Sequence, residues 1–388
     1  MAVVPSPAPT PSTPLEQWLA DWPSVRASVD DLVLSLKRRQ LTGSYDTAKR
    51  TTMLLSEMAR RCAASLNTVD WMTAGEITEK VRSLGDMLTK AHPQELAIGN
   101  VVRRVLYIIR EEHANALKSP PPSAKLEARS SSTYAGSAGS RSYQSRSLGS
   151  ILTPGTDADM STPIADLKSS VMEALTELID EIDSLHVNIA DQAMEYIHAD
   201  EVILTYGLST SVEEFLKNAA KKREFKVLVV ESAPSLNGQE MAHALAQSGM
   251  DVTVIPDSAV FAMMARVNKV VIPAAAVVAN GGLIAQSGLQ NIALAAKKCS
   301  VPVVCVAGII KLCPLYAHDL DVLNELVSPS QIYNYEDTAD NLEVLNPAFD
   351  YVPPEFVSLY ITNTGAHQPS YIYRLLAEYY SPQDYQLA

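Results

Sequence analysis

The stretch "KVLVVESAPSLNGQEMAHALAQSGMDVTVIP", residues 226–256, decides the fold class of this chain. It opens and closes on short runs rich in valine, KVLVVE at 226–231 and DVTVIP at 251–256, and the segment between them has the composition of a helix. A strand, a helix and a second strand at this spacing indicate parallel strands joined by a right-handed crossover. The stretch therefore predicts one strand–helix–strand unit of an α/β protein.

The same alternation continues on both sides of this unit. Apolar β-rich runs occur at 201–206, 269–273 and 301–307, with helix-like segments between them. We therefore expect residues 201–388 to form a Rossmann-like domain with a doubly wound parallel sheet. In such a sheet, ligands bind beyond the carboxyl ends of the strands.

The N-terminal part of the chain has the pattern of an all-helical domain. Residues 28–43, 44–61 and 98–113 each place apolar side chains at helix spacing. Gly43 is expected to end the first of these helices, and Met53 is expected on the apolar face of the second. The α/β sheet is thus predicted to follow a layer of helices.

Composition suggests where these parts begin and end. We predict a disordered tail at 1–14 and a helical domain at 15–118. Nine serines among the 22 positions of 129–150 indicate a disordered insertion at 119–163, because such a segment cannot bury enough apolar surface to offset its ordering entropy. A helix at 164–200 is expected to complete the helical domain and lead into the sheet.

Composition also limits the class of protein. The chain has 388 residues, a net charge of −13, and 47% hydrophobic and 19% charged residues, which is typical of a soluble globular protein. No apolar run approaches the roughly 20 residues of a membrane-spanning helix. The acidic charge argues against nucleic acid as a direct ligand. Four cysteines without a CxxC pair, and a start unlike a signal peptide, indicate a reduced, cytosolic setting.

Three pairs of arginines lie in the helical part. They could form a binding face, although pairs of this kind are more often the solvated side of a helix. The pairs are Arg38 with Arg39, Arg60 with Arg61, and Arg103 with Arg104.

The predicted carboxyl ends of the strands carry few groups suited to catalysis. Glu231 and Asp257 are the acids in these turns, which contain no histidine or cysteine. Asp257 is interpreted as a helix cap in preference to a catalytic acid, and Glu231 as a polar strand end or the remnant of a site. No GxSxG motif is present for serine catalysis.

Nucleotide and metal motifs are equally weak. The stretch "NGGLIAQSG" at 280–288 lacks the GxGxxG spacing, and no GxxxxGK[ST] occurs. Asn280 and Gly281 predict a tight turn with positive φ, followed by a helix-like segment. Glu195 and His198 stand at i, i+3, a spacing used by di-metal bundles, but without the second copy that such sites need. We expect no cofactor and no metal.

Several motifs nevertheless resemble one superfamily. They are "EVILTYGLS", "ESAPSLNGQEMAHAL", "VNKVVIPAAAVVANGGLIAQSGLQNIALAAKK" and "FDYVPPEFVSLYITNTG". They resemble the sugar-phosphate isomerases that act on methylthioribose 1-phosphate and ribose 1,5-bisphosphate, together with the related alpha, beta and delta regulatory subunits of eukaryotic translation initiation factor 2B. The ending "PSYIYRLLAEYYSPQDYQL" and the earlier "HPQELAIGNVVRRVLYIIREE" are similar to the beta branch of that family.

The resemblance implies an isomerase-type pocket that has lost its chemistry. Gly207 and Leu208 stand where the enzymes carry cysteine and asparagine, Ala233 where they carry a phosphate-binding arginine, and Ala275 where they carry the catalytic aspartate. Beyond the turn, an Asn-Lys pair becomes Ala285 and Gln286. The degenerate pocket is expected to comprise Gly207, Leu208, Ala233, Gly238, Ala275, Asn280, Gly281 and Gly282, with no catalytic residue.

The resemblance also implies a function and partners. We expect a non-catalytic regulatory subunit of the guanine nucleotide exchange factor for initiation factor 2, which scaffolds the complex and helps to sense phosphorylation of that factor's alpha subunit. Its partners would be the delta subunit above all, then alpha, gamma and epsilon, with exchange activity in epsilon. The alternatives are an active isomerase with rearranged catalytic residues, and a small-molecule sensor without turnover.

Two features suggest where such partners would bind. Lys269 and Lys297 bracket 27 residues without a charge, which suits a sheet covered on both faces and a buried subunit contact. The C-terminal tyrosines suit an interface as well, or equally a helix that packs on the core. The candidate interface residues are Tyr371, Tyr373, Arg374 and Tyr379.

Overall fold

The computed structural model describes most of the chain. The described residues are 14–41, 43–62, 71–118, 160–161, 167–317, 324–337 and 341–387. The predicted tail lies outside them, except for Pro14, which begins the first helix. The predicted insertion also lies outside them, except for residues 160–161.

Helices fill the N-terminal part as predicted. They are α1 (Pro14–Asp21), α2 (Pro23–Lys37), α3 (Ser44–Arg60), α4 (Ala74–Ala91), α5 (Leu96–Lys118), α6 (Leu167–Asp191) and the short α7 (Ala193–Tyr196). Two local predictions were wrong. Gly43 does not end α2, which stops at Lys37; with φ +94° it is the N-cap of α3. Met53 is 53% exposed, because the buried face of α3 passes through Leu54, Leu55 and Met58 instead.

The second half alternates strands and helices as predicted. The strands are β1 (Val202–Tyr206), β2 (Lys226–Val230), β3 (Asp251–Ile255), β4 (Lys269–Pro273), β5 (Ala276–Val277), β6 (Leu283–Gln286), β7 (Val303–Val306), β8 (Phe349–Val352), β9 (Leu359–Thr362) and β10 (Gly365–His367). The helices are α8 (Thr210–Ala220), α9 (Asn237–Gln247), α10 (Val260–Met264), α11 (Leu289–Lys298) and α12 (Ile372–Tyr379).

Within the described residues the main sheet has seven strands, in the order β10-β9-β7-β4-β1-β2-β3. Neighbouring strands of this sheet run parallel, except that β10 is antiparallel to β9 at one edge. The chain winds from β1 to β2 and β3 on one side and then crosses to β4 and β7 on the other. The strand order therefore reverses between β1 and β4, the place where open α/β sheets hold their ligands.

A small antiparallel sheet, β5-β6-β8, lies beside the main one. It corrects the prediction that the Asn280–Gly281 turn leads into a helix. The turn leads into β6, and α11 begins only at Leu289, after Gly288 with φ +100°. The run Leu283–Gln286 is four residues long, too short for its apolar pattern to distinguish a strand from the start of a helix.

One hydrophobic core joins the helical part to the sheet. Alternate strand residues point to opposite faces, so Val227 and Val229 of β2 pack in the cluster that contains the core of α1–α6. Leu228 and Val230 pack in a second cluster with α10, α11 and α12. The sheet is therefore covered on both faces, while the domain boundaries proposed from the sequence stay predictions.

This double cover accounts for the charge-free stretch at 270–296. Most of its residues from Val270 to Ala285 are buried inside the chain itself. The lack of charge therefore needs no subunit partner to explain it. Among the described residues, no helix is both long and apolar enough to cross a membrane.

Candidate functional site

Hydroxyl and amide groups gather at the carboxyl end of β1, where open α/β sheets hold their ligands. Gly207 follows β1 with φ +69°, and its backbone N–H donates a hydrogen bond of 2.9 Å to Oγ of the buried Ser232. A Cβ built at position 207 would lie 2.4 Å from Oε1 of Gln286. A side chain at this position would therefore have to displace Gln286, as well as adopt a φ that favours glycine.

Gln286, at the end of β6, connects the carboxyl end of β1 to the loop after β2. Its Nε2 donates to Oγ of Ser235 at 3.1 Å. We call Gly207, Ser232, Ser235 and Gln286 the serine–glutamine cluster. The two serines were not predicted as site residues, although their place directly after a strand in "ESAPS" was visible in the sequence.

The loop after β2 is held by Asp257. The backbone N–H of the exposed Ala233 donates to Oδ2 of Asp257 at 2.8 Å, and the peptide bond between Ala233 and Pro234 is cis. Asp257 is therefore not the helix cap that the sequence suggested. Pro256 holds the N-cap position, and the Asp257 carboxylate binds a neighbouring loop instead. Glu231, at the end of β2, is half-buried, and its N–H donates to the carbonyl oxygen of Ile255.

Two further predicted pocket residues lie in different surroundings. A Cβ on Gly238 would lie 1.9 Å from the carbonyl oxygen of Val230, so a glycine lets α9 approach the end of β2. Leu208 is 45% exposed on the surface. Gly238 is thus a packing residue, and Leu208 is a solvent-facing one.

The Asn280–Gly282 turn forms as predicted, although only Gly281, at φ +80°, has a positive φ. Asn280 accepts from the N–H of Gly282 at 2.9 Å and donates to the hydroxyl of Tyr351 at 2.7 Å. The turn precedes β6, whereas Gln286 ends it. At about 3.3 Å per residue the two ends are about 13 Å apart. The structure therefore does not bring this turn into the serine–glutamine cluster.

Ala275 lies beside a cation that the sequence analysis missed. Its N–H donates to the carbonyl oxygen of Ile284 at 2.8 Å, and the preceding Ala274 carbonyl accepts from Nζ of Lys311 at 2.7 Å. Burial lowers the pKa of the Lys311 ammonium, while the neighbouring Glu95 raises it. Burial in turn raises the pKa of the Glu95 carboxyl. A single lysine after the last predicted parallel strand was the available signal, and it carried no motif.

The chemistry available at the carboxyl end of β1 follows from these contacts. The groups gathered around Gly207 are hydroxyls and an amide, which hydrogen-bond to one another or to the backbone. Burial also raises the pKa of Tyr206, whose hydroxyl donates to the carbonyl oxygen of Ser287. Such groups can orient a polar ligand, but they do not exchange protons near neutral pH.

The predicted interface residues divide into two groups. Tyr373 is 64% exposed, and Arg374 makes an ion pair of 3.0 Å with Glu378 on the same helix. Tyr371 is half-buried and stacks on His367 with 5.3 Å between ring centroids. Tyr379, which was expected at an interface, is instead buried in the chain's own core. Its hydroxyl donates to Glu181 at 2.8 Å.

The pair Arg103 and Arg104 is neither a binding face nor the solvated side of a helix, because both side chains are buried. Nε of Arg103 donates to the carbonyl oxygen of Tyr385 at 3.1 Å, and Nη1 of Arg104 donates to that of Tyr379 at 3.2 Å. The Arg104 guanidinium also lies 3.9 Å from the ring centre of Tyr379. These arginines hold the C-terminal segment against α5.

His198 and Glu195 show no metal-binding arrangement. Nδ1 of His198 lies 3.1 Å from Nη1 of Arg223, and its backbone N–H donates to Glu201. In the part of the chain that the structure describes, no group of three or more histidine, cysteine, aspartate or glutamate side chains could hold a metal ion.

A mostly parallel sheet whose strand order reverses between β1 and β4, covered on one face by N-terminal helices, defines a Rossmann-like α/β protein with a helical layer. The model of the Initiation factor 2 subunit family matches residues 40–369, and the chain belongs to that family. The resemblance read from the sequence motifs is thereby confirmed, as is the fold class.

Named relatives cover nearly the whole chain. Translation initiation factor eIF2B subunit beta of Dictyostelium discoideum is 42% identical over 379 residues, covering 92% of this chain and 95% of that protein. The protein of the same name from Schizosaccharomyces pombe is 36% identical over 388 residues, covering 92% and 96%. Ribose 1,5-bisphosphate isomerase of Methanocaldococcus jannaschii is 24% identical over 351 residues, covering 89% and 93%.

Solved structures of eIF2B proteins are also similar to this chain. The crystal structure of eIF2B beta from Chaetomium thermophilum matches with a TM-score of 0.70 and 28% identity, covering 95% of this chain and 96% of that one. A chain of the tetrameric eIF2B-beta2-delta2 complex from the same fungus matches with a TM-score of 0.67 and 27% identity, covering 95% and 100%. The similarity to the beta branch, expected from the C-terminal motifs, is confirmed as well.

Proposed function

We propose that this chain is a non-catalytic regulatory subunit of the guanine nucleotide exchange factor for eukaryotic translation initiation factor 2, acting in the cytosol. It would scaffold the complex and help to sense phosphorylation of the alpha subunit of initiation factor 2. The proposal is supported by relatives named eIF2B subunit beta that align over more than nine-tenths of the chain.

The serine–glutamine cluster carries the non-catalytic part of this proposal. An aldose–ketose isomerisation relays a proton between adjacent carbons, and the loss of one proton-transferring group commonly costs about 10² to 10⁴ in rate. Gly207 and Ala275, which stand at the positions of the relay in the related enzymes, have no side-chain atom that binds a proton. The nearest polar side chains are already hydrogen-bonded among themselves.

The proposed partners follow from the relatives. One solved relative is a tetramer of two beta and two delta chains, so we propose delta as the closest partner of this chain. The alpha, gamma and epsilon subunits would complete the assembly, and initiation factor 2 would bind to it through its alpha subunit. Exchange activity would lie in another subunit. The exposed Tyr373 and Arg374, with Tyr371 beside them, remain candidate interface residues.

Native purification of the complex tests which subunits this chain assembles with. The tagged chain, purified from its own cells under native conditions, should be recovered with delta, gamma and epsilon subunits, as identified by native mass spectrometry. Recovery of the chain without any of them would contradict the proposal. The sensing role predicts that a complex lacking this chain releases GDP from initiation factor 2 at a rate that phosphorylation of the factor no longer lowers.

The alternative function is an active sugar-phosphate isomerase with rearranged catalytic residues, favoured by the alignment with ribose 1,5-bisphosphate isomerase. Its acids would have to be Glu231 or Asp257, but the Asp257 carboxylate already accepts the N–H of Ala233. The purified protein should therefore leave methylthioribose 1-phosphate and ribose 1,5-bisphosphate unchanged. Turnover that is lost in Glu231→Gln or Asp257→Asn would establish the alternative.

A further inference from the structure

Residues 324–337 and 341–348 lie between β7 and β8, and we call them the acidic arm. Its two sides pair through backbone hydrogen bonds, from Val327 N–H to the Asn346 carbonyl at 2.9 Å and from Ala348 N–H to the Glu325 carbonyl at 2.8 Å. The side chain of Asn346 is buried between them and donates to the carbonyl oxygen of Ser328 at 3.0 Å. These bonds hold the two sides of the arm together at its base.

Large apolar side chains of the arm are exposed to solvent. Leu326 is 65% exposed, Ile332 51%, Leu342 49% and Leu345 60%. Single exposed hydrophobic residues are normal, but several along one short segment are typical of an interaction site. Pairing at the base of the arm also lowers the ordering entropy that binding costs.

The charge of the arm indicates what it would bind. The arm contains four acidic residues, Glu325, Glu336, Asp337 and Glu343, and neither lysine nor arginine. Glu325 is engaged by Arg39 of the helical part. Glu336 and Glu343 are exposed beside the apolar side chains. The arm thus presents leucines and isoleucine among carboxylates, with no lysine or arginine in its own sequence.

We propose that the acidic arm docks on a neighbouring subunit whose facing surface is apolar and rimmed by lysine or arginine. Complementary charge at the rim would steer the encounter, and burial of the apolar side chains would supply affinity. A second copy of this chain would oppose carboxylates to carboxylates. Nucleic acid or an anionic membrane would be repelled in the same way.

The experiment uses the complex reconstituted by co-expression of this chain with the alpha, delta, gamma and epsilon subunits of the same organism, and so it rests on the proposed function. Leu342→Ser combined with Leu345→Ser, and separately Glu336→Lys combined with Glu343→Lys, should each weaken the binding of one subunit about tenfold or more. The control is Leu34→Ser, an exposed leucine on α2 that is 49% accessible. It should leave every affinity unchanged.

A photo-crosslinking amino acid placed at Leu342 identifies the partner surface. In the wild-type background it should capture one peptide of a different subunit, with lysine or arginine beside the crosslinked residue. Capture of a second copy of this chain, or of a peptide without basic neighbours, would overturn the proposal. Equal affinities for wild type and both double variants would also overturn it and leave the proposed function intact. If the wild-type chain assembles with no subunit, the proposed function itself fails.

Discussion

Arg110 and Asp384 form a two-point ion pair between residues 274 positions apart in the chain. Nε of Arg110 lies 2.9 Å from Oδ2 of Asp384, and Nη2 lies 3.1 Å from Oδ1. Arg82 adds a third contact of 2.6 Å to Oδ1, and the Asp384 side chain is fully buried. The pair fastens the C-terminal segment to the helices α4 and α5, next to the contacts of Arg103 and Arg104.

Removal of the Asp384 carboxylate should therefore destabilise the fold. Asp384→Ala leaves two arginines facing a site without a counter-charge, and a loss of about 3 kcal/mol in the free energy of unfolding is expected. Urea unfolding followed by the fluorescence of the tryptophans in the helical part measures it. Glu378→Gln, which breaks only the exposed pair with Arg374, should cost much less, because solvent screens that pair. Equal effects of the two substitutions would show that burial of the Asp384 pair contributes nothing.

Gly238→Ala tests the close approach of α9 to β2. The new Cβ would overlap the carbonyl oxygen of Val230, and the backbone must move to relieve the overlap. We expect a loss of about 3 kcal/mol or more. At Gly249, with φ +82° and open space around its Cβ position, alanine should cost about 1–2 kcal/mol from backbone strain alone. A comparable cost at both glycines, measured by thermal unfolding, would contradict the packing argument.

His186 should make stability fall as the pH is lowered. Burial and the nearby Lys311 lower the pKa of its imidazole below the ordinary 6.5, while Glu214 and Asp46 raise it by less. The unfolded chain therefore takes up the proton first, so this contribution to stability is complete above pH 6.5 and declines below it. His186→Gln should show a smaller drop in unfolding midpoint between pH 7.5 and 5.5 than the wild type. At pH 8 the imidazole is neutral in both states, and the variant then reports only the loss of contacts to Ser211 and Tyr45.

Asn346→Ala should loosen the acidic arm without unfolding the protein. The substitution removes a buried side chain that binds the Ser328 carbonyl and leaves that oxygen without this partner, at a local cost of about 1–3 kcal/mol. Hydrogen exchange of the amides of Val327 and Ala348 should accelerate about tenfold or more, while exchange in the main sheet stays as in the wild type. Leu345→Ser, at an exposed position of the same arm, should leave both rates unchanged.

Five of the seven described strands of the main sheet, β1–β4 and β7, could be predicted because they are short runs rich in valine and isoleucine, most of them separated by helices of the expected length. The edge strands β9 and β10 were not predicted. β6 could not be distinguished from a helix start, because a run of four residues, three of them buried, is too short to show a period. The burial of Arg103 and Arg104 could not be predicted either, because the C-terminal segment that covers them lies more than 270 positions away in the chain. Sequence spacing within one helix does not report what packs on it.

The candidate site could be predicted in part. The strand ends followed from the alternation, and the absence of acid and base at Gly207 and Ala275 was visible in the residue types. The hydrogen bond from Gln286 to Ser235, and the place of Gln286 beside Gly207, depend on the return of β6 to the end of β1, which no local pattern encodes. Lys311 was missed for the same reason, because its neighbour Glu95 precedes α5 and lies far away in the chain.

The place of Gln286 beside Gly207 limits which side chains the end of β1 can accept. A cysteine introduced at position 207 alone would need a left-handed backbone and the space that the glutamine amide already fills. A substitution at Gln286 would have to come first, and by itself it would leave Ser235 without that hydrogen bond. Positions 207 and 286 are thus coupled, because each single substitution costs stability on its own.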